Sequence, residues 1–330
     1  MILSKTPLRI SFFSGGSDMP SYFEKERGAA LSVTINKYIY VMVHKTPHLG
    51  IKIMYDTIEE YPDVEHMQHA ITRESLKHYG IDKEVTVASI ADILAKGSGL
   101  GSSSAFTVGL INALNHPDRH MSMATREYLA QTAYHIERNM CQYPVGKQDQ
   151  YAAAYGGMNL FEFNTDGHVD IKPITHNRDM WQDLEQRLLL VYSGRGRSAN
   201  SILQKQAAAM DDSVKFDLVR RSRDKAYVAA RYLKEGKLDD FGSLLHDAWM
   251  DKKAVATEIT NDYFDTVYSN ALSAGALGGK LLGAGGGGFF IFYVTPDKRE
   301  QVVDAILDGS QCKIYDFEFT EVGSSITTYC

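Results

Sequence analysis

The sequence predicts an α+β fold in two units. β-rich runs crowd its first third, helical segments dominate Ser198–Ala274, and strands and helices mix elsewhere without the regular alternation of a βαβ series. At 330 residues the chain can fill two cores of ordinary size. The compact apolar run Leu188–Tyr192 sets the boundary, giving units 1–185 and 186–330.

Leu8–Phe13, Ala30–Lys45 and Val85–Ala88 read as strands because β-branched and aromatic residues fill them. Ser102–Leu114 reads as a helix opening at a serine cluster. Ser122–Met140 reads as another, with Leu129, Ala133, Ile136 and Met140 spaced by four, three and four. Met158–Phe163 is a strand after Gly156-Gly157, and Leu188–Tyr192 is the strand that opens the second unit. Gly236 is placed to stop a helix. Lys280–Leu282 and Phe289–Val294 flank a glycine turn, Pro296–Leu307 is a helix and Lys313–Thr320 a final strand. Thr295, Pro296 and Gly309 supply the N-cap, N1 proline and C′ glycine of that helix.

Composition narrows the function classes. Apolar and charged residues make up 44% and 23% of the chain, as in a folded globular protein. A net charge of −6 argues against a general nucleic-acid binder, yet a pocket needs only a few local cations. Cys141, Cys312 and Cys330 are far apart and form no CxxC pair, which points away from a zinc site or disulfide framework and toward a reducing, cytoplasmic setting. Lys5 and Arg9 interrupt the apolar residues of the opening segment, so it reads as a first strand and not a secretion signal. No run of about 18 apolar residues occurs, and no membrane span is expected.

Four segments carry chemistry. The strongest is Gly97-Ser98-Gly99-Leu100-Gly101-Ser102-Ser103-Ser104, opening directly onto an apolar helix. Glycines let backbone N–H groups turn toward an anion, the helix N-terminus adds partial positive charge, and serines add hydroxyls. A flexible linker is the bland alternative, but linkers seldom open onto a buried helix. No lysine follows the last glycine, so this is not a Walker A loop. A second cluster, Gly283–Gly288, formally contains GxGxxG, but the β-rich Phe289–Tyr293 follows where a dinucleotide fold needs a helix. On its own that cluster reads equally as a tight hairpin. The third segment pairs Arg9 on a strand with Asp18 just past the Gly15-Gly16 turn. The fourth pairs Glu137, on a helix, with Asp149 in a loop twelve residues later; alone, such carboxylates are usually solvated.

Taken in this order, the segments resemble the GHMP kinase superfamily of galactokinase, homoserine kinase and mevalonate kinase, over nearly the whole chain. The resemblance implies a ribosomal S5 domain 2-like N-terminal domain and a ferredoxin-like C-terminal domain, with nucleotide and substrate between them. It implies that Gly97–Ser104 wraps the phosphates of ATP, that Ser103 and Glu137 hold Mg²⁺, and that Asp149 is the catalytic aspartate. It also implies that Arg9 pairs with Asp149 and faces the transferred phosphate, that Asp18 holds a sugar hydroxyl, and that Gly283–Gly288, with Gly285 and Gly286 at its centre, lines the phosphate and substrate sites. Such a set supplies the charge neutralisation and in-line positioning that phosphoryl transfer needs.

The opening RISFFSGGSDMPSYF is most similar to the branch that phosphorylates D-glycero-D-manno-heptose 7-phosphate at its anomeric oxygen. The Gln148–Asn159 run and Tyr192-Ser193-Gly194 with Arg197 and Ser198 agree with that branch. The partner implied is a small sugar phosphate. Its own phosphate needs cations, and Arg197, Arg195, Lys147 and Lys5 are the candidates, in that order. The family's proline before the central loop is missing, with Leu94-Ala95-Lys96 in its place, which leaves the adenine side unassigned. A fucokinase or galactokinase-like sugar 1-kinase is the alternative within the class, and a sugar- and ATP-binding sensor without turnover is the alternative outside it. Nothing in the sequence specifies an oligomeric state.

Overall fold

β1 (Ile2–Phe13) is apolar along its length and pairs antiparallel with the long β2 (Gly28–Lys45), from Ile2 opposite Val43 to Phe13 opposite Leu31. The one-turn helix α1 (Pro20–Phe23) fills the connection between them. In this computed structural model residues 1–13, 15–47, 49–93, 97–115, 123–174, 178–196, 204 and 209–329 are described. The hairpin β3 (Ile51–Met54) and β4 (Ile58–Tyr61) follows, then α2 (Ala70–His78) and β5 (Val85–Ala91), which pairs with both β2 and β3. α3 (Ser102–Leu114) packs on β1 and β2. It is buried nearly all round, by Ala105, Val108, Leu110 and Ile111 among others, as an internal helix must be.

α4 (Met123–His135) runs straight into one π-helical turn, Ile136–Met140, an irregularity frequent at functional sites. α5 (Gln148–Tyr155) comes next, where the sequence pointed to a loop; its Tyr-Ala-Ala-Ala core has good helix formers but no amphipathic stripe to betray it. β6 (Met158–Phe163) pairs with the first half of β2, and β7 (Val169–Pro173) with β6.

α6 (Arg178–Gln186) leads to the second sheet, whose order is β11-β8-β10-β9. β8 (Leu188–Tyr192) and β10 (Phe289–Tyr293) are its apolar centre. α7 (Ser213–Glu235), α8 (Leu238–Val255) and α9 (Asp262–Ser273) precede β9 (Gly278–Leu281). α7 starts under the Asp212 side chain, which accepts from the Val214 and Lys215 amides, and ends at Gly236 in the left-handed region, as the sequence indicated. Its length also packs on β1 and β2 of the first sheet, while α8, packed against it, lies on β9 of the second, so the helix pair joins the two sheets. Trp249, Phe264, Phe290 and Phe292 fill the outer core.

α10 (Arg299–Leu307) is preceded by a 3₁₀ turn over Pro296–Lys298, and the Thr295 side chain caps neither. β11 (Lys313–Tyr315) ends the second sheet sooner than the sequence suggested, because the chain then leaves it. Phe319 bridges to Ile35, the Thr320 amide donates to the Thr34 carbonyl, and β12 (Ser325–Thr328) pairs antiparallel with β1. The tail therefore completes the first sheet, and a single division at 185/186 does not describe it.

Candidate active site

Loops from both units meet around a cavity of about 1280 Å³. Arg9, Gly15, Gly16 and Asp18 line it from the start of the chain, residues 97–99 and 101–104 from the central loop, Asp149 from α5, and Lys252, Gly283 and Ala284 from the second unit. Gly97, Gly99 and Gly101 all take positive φ, near 70–77°, which coils the loop into the start of α3. A Cβ on Gly99 would lie 2.5 Å from the Leu282 carbonyl oxygen, so the central loop and the second glycine cluster touch backbone to backbone. The Ser98 and Ser102 hydroxyls bond each other at 2.8 Å, and no side chain caps the N-terminus of α3. That end faces the cavity with its partial positive charge available to an anion.

Arg9 and Asp149 meet as a bidentate pair, Nε to Oδ1 at 2.8 Å and Nη2 to Oδ2 at 2.7 Å. Arg9 Nη1 also donates to the Gly99 carbonyl at 2.7 Å, and the Arg9 amide donates to the Leu100 carbonyl. Arg9 is buried at 3% exposure while Asp149 keeps 26%, so the strand hides the cation and the first turn of α5 offers the carboxylate to the cavity. The fork geometry fixes both groups in plane.

Asp18 is buried beside them. Its Oδ1 accepts from the Gly16 amide at 2.9 Å and its Oδ2 from the Gln148 amide at 3.3 Å. Burial, reinforced by the charge on Asp149, raises its pKa. A Cβ on Gly146 would fall 2.0 Å from Asp18 Oδ2, so only glycine lets the two segments close. Arg9, Asp18 and Asp149, distant in sequence, thus share one wall.

Glu137 sits in the π turn, fully buried. It accepts from Ser104 Oγ at 2.9 Å, Thr107 Oγ1 at 2.5 Å and Gln150 Nε2 at 2.5 Å. Burial outweighs these donors and pushes its pKa up to about 7. The serine that bonds Glu137 is Ser104, whereas Ser103 is the exposed member of the trio and lines the cavity.

Other expected groups lie elsewhere. Lys147 donates to the Gly167 carbonyl, with its ammonium 4.7 Å from the Phe23 ring centre, and burial lowers its pKa. The Arg195 guanidinium stacks at 4.0 Å over Tyr263, and Lys5 sits at 3.9 Å over Tyr38. None of these three lines the cavity; each rests its cation on an aromatic face instead. Arg197 lies outside the described residues. Gly285 and Gly286 pack on Ile259, and the cavity-facing members of that cluster are Gly283 and Ala284.

Two features escaped the sequence. One end of the cavity is an apolar arm of Ile39, Ile53, Ile71, Val87 and Phe106, assembled from five elements that each looked like ordinary core. Lys252, near the end of α8, reaches inward to donate to the Leu281 carbonyl at 3.0 Å and the Gly283 carbonyl at 2.6 Å. In sequence it sits in Asp251-Lys252-Lys253, a charge run that looks solvated. Burial and the nearby Arg9 charge push its pKa down to about 7.

Together these groups offer a polyanion cradle, a carboxylate aimed at a neighbouring hydroxyl and an apolar slot of the kind that takes a flat base. Comparison with known proteins agrees. The GHMP kinases N terminal domain model matches residues 65–157, and the GHMP kinases C terminal model matches residues 229–309. The chain is 30% identical to D-glycero-alpha-D-manno-heptose 7-phosphate kinase of Campylobacter jejuni, covering 98% of this chain and 97% of that one. The crystal structure of a D-glycero-D-manno-heptose 1-phosphate kinase from Bacteroides thetaiotaomicron superposes with a TM-score of 0.77 at 27% identity, covering 100% of both chains. Lactococcus lactis galactokinase, at 17% identity, shares the fold with a TM-score of 0.73 over 98% of this chain and 95% of that one. Matched by family models in both halves and by a relative along its whole length, the chain belongs to the GHMP kinases and has their two-domain α+β fold.

Proposed function

We propose that this kinase transfers the terminal phosphoryl group of ATP to the anomeric hydroxyl of D-glycero-D-manno-heptose 7-phosphate, giving the 1,7-bisphosphate for activated-heptose and surface-glycan synthesis. The observation that carries the reading is the bidentate Arg9–Asp149 pair beside the Gly97–Ser104 loop. The loop amides and the α3 N-terminus hold the triphosphate. Asp149 orients the attacking hydroxyl and takes its proton, while Arg9 faces the charge that develops on the transferred group. Asp18, fixed by two amides, positions the sugar. An anomeric hydroxyl is the most acidic on a sugar, which suits an aspartate acting as base.

Among the described residues no cluster of three or more His, Cys, Asp or Glu could hold a metal ion. Magnesium needs no such cage, since it commonly takes one or two protein oxygens and completes its shell with phosphates and water. Glu137 fits that role: it is a buried carboxylate held near neutrality, and the adjacent Gln150 Oε1 has no hydrogen-bond partner. Ser103 and Glu137, with Ser104 between them, would hold Mg²⁺, which when bound neutralises charge on the phosphates. No helix among the described residues is long and apolar enough to cross a membrane, and ATP as donor suits a cytoplasmic site.

The two relatives' names place a phosphate on different carbons, 7 in one and 1 in the other. The test is a panel of heptose, heptose 7-phosphate, heptose 1-phosphate, fucose and galactose with ATP, following ADP release and locating the new phosphate by ³¹P NMR. Turnover fastest with heptose 7-phosphate, and a new anomeric phosphate, is expected. Faster turnover on fucose or galactose would replace the substrate, and no turnover on any sugar would turn the reading into that of a binding protein.

A further inference from the structure

Cations available to a substrate are few in this cavity. Among the described residues only two Lys or Arg side chains line it, Arg9 and Lys252. Arg9 spends three of its five N–H donors, Nε and Nη2 on Asp149 and Nη1 on the Gly99 carbonyl, and its charge is paired with Asp149. An ammonium carries three N–H donors, and Lys252 uses two, on the Leu281 and Gly283 carbonyls. The third remains.

Charge accounting separates Lys252 from its neighbours. Asp251 is tied to Arg221 and Lys225, and Lys253 is paired with Asp265 at 3.1 Å. Lys252 forms no ion pair with any described carboxylate. Behind it the buried Lys280 donates to the Phe12 carbonyl at 3.0 Å. Burial lowers the pKa of both lysines, and neighbouring positive charge adds to it, so an anion placed here would favour the charged form of Lys252.

Position identifies the anion that this arrangement suits. Lys252 and Lys280 also line a small recess behind the main cavity, together with Gly15 and Gly16. That turn leads into Asp18, the residue proposed to position the sugar, and its Gly16 amide donates to the Asp18 carboxylate. We propose that Lys252, backed by Lys280 and the Gly15-Gly16 turn, is the specificity-determining contact for the phosphate that the sugar already carries. A phosphate dianion arriving there supplies the missing counter-charge and accepts the spare N–H. Lys252 thus takes the role for which the sequence offered Arg197, Arg195, Lys147 and Lys5; Arg197 lies outside the described residues, and the other three rest against aromatic rings. The inference deepens the sugar-phosphate kinase reading and rests on it.

The test compares Lys252→Met with wild type on a sugar phosphate and its dephosphorylated form. The ratio of kcat/KM between the two substrates is expected to fall at least tenfold, through KM for the sugar phosphate, with KM for ATP moving much less. Lys252→Arg should recover part of the ratio. An equal loss of kcat on both substrates would assign Lys252 to the transferred group and overturn the inference, while wild type that prefers the unphosphorylated sugar would overturn the underlying reading as well. Inorganic phosphate gives a check that needs no variant to fold. In wild type it should compete with the sugar phosphate and not with ATP, and competition with ATP alone would place the anion site on the nucleotide and sink the proposal.

Discussion

Single side chains in this site carry opposed demands. Glu137 is held without exposure to water, and its folded pKa of about 7 lies above the ordinary carboxylate value. Between about pH 4.5 and 7 the folded protein keeps a proton that the unfolded chain has released, so stability falls as pH rises through that window. The loss is on the order of 3–4 kcal/mol once ionisation is complete. Glu137→Gln removes that charge, and the Gln150 amide, whose Nε2 donates to Glu137 while its Oε1 has no partner, can turn to accept from the new one. Without magnesium or nucleotide, the variant is expected to melt several degrees above wild type at pH 8 and close to it at pH 5, with catalysis lost. Equal melting differences at the two pH values would remove the buried charge from the explanation. Asp149→Asn acts differently: it loosens the fork to Arg9 and deletes the base, so kcat should fall about 10² or more while ATP affinity holds. Stopped-flow nucleotide binding beside steady-state rates separates the two effects, and an undiminished kcat would exclude Asp149 as the base.

Whole elements show where sequence was readable. α3, β6 and β8 were legible to the residue, because glycine or serine marks the starts of α3 and β6, Ser193-Gly194 marks the end of β8, and their apolar runs are unmistakable. The hairpin β3–β4, α5 and β12 were not, being short, half-exposed or lacking a periodic stripe. The same limit hid Lys252: a cation becomes a site residue only when α8 lays it against the carbonyls that end β9. Glycines sort by the same logic of contact. Gly236 takes φ 70° in open space, so Gly236→Ala meets only left-handed strain, about 1 kcal/mol. Gly99 takes φ 77° and faces the Leu282 carbonyl at 2.5 Å from any added Cβ. Gly99→Ala should lose several times more stability in denaturant titrations, and nucleotide affinity with it. Similar losses at the two positions would mean that the loops do not need their close approach.

Across the whole molecule, the last strand closes the first sheet. Ser324 Oγ bonds Thr6 at 2.8 Å and Asn112 at 2.9 Å, fastening the tail both to β1 and to α3, the helix behind the Gly97–Ser104 loop. Removing residues 321–330 strips that edge from β1 and unties α3. A fall in melting temperature of about 5 °C or more is expected, with nucleotide binding weakened in the fraction that still folds. An unchanged melt would make the tail ornamental. The same return of the chain means that 1–185 expressed alone lacks an edge strand of its own sheet.

The backbone contact between Gly99 and Leu282-Gly283 has an evolutionary consequence. When a bulky side chain crowds a glycine, trimming that side chain can restore the fit. Here the crowding atoms are a carbonyl and an amide, which every amino acid possesses, so no substitution at 282 or 283 can make room. A search for second-site suppressors of Gly99→Ala should therefore recover true revertants and nothing at the facing positions, and these two distant stretches of chain are bound to drift together or not at all.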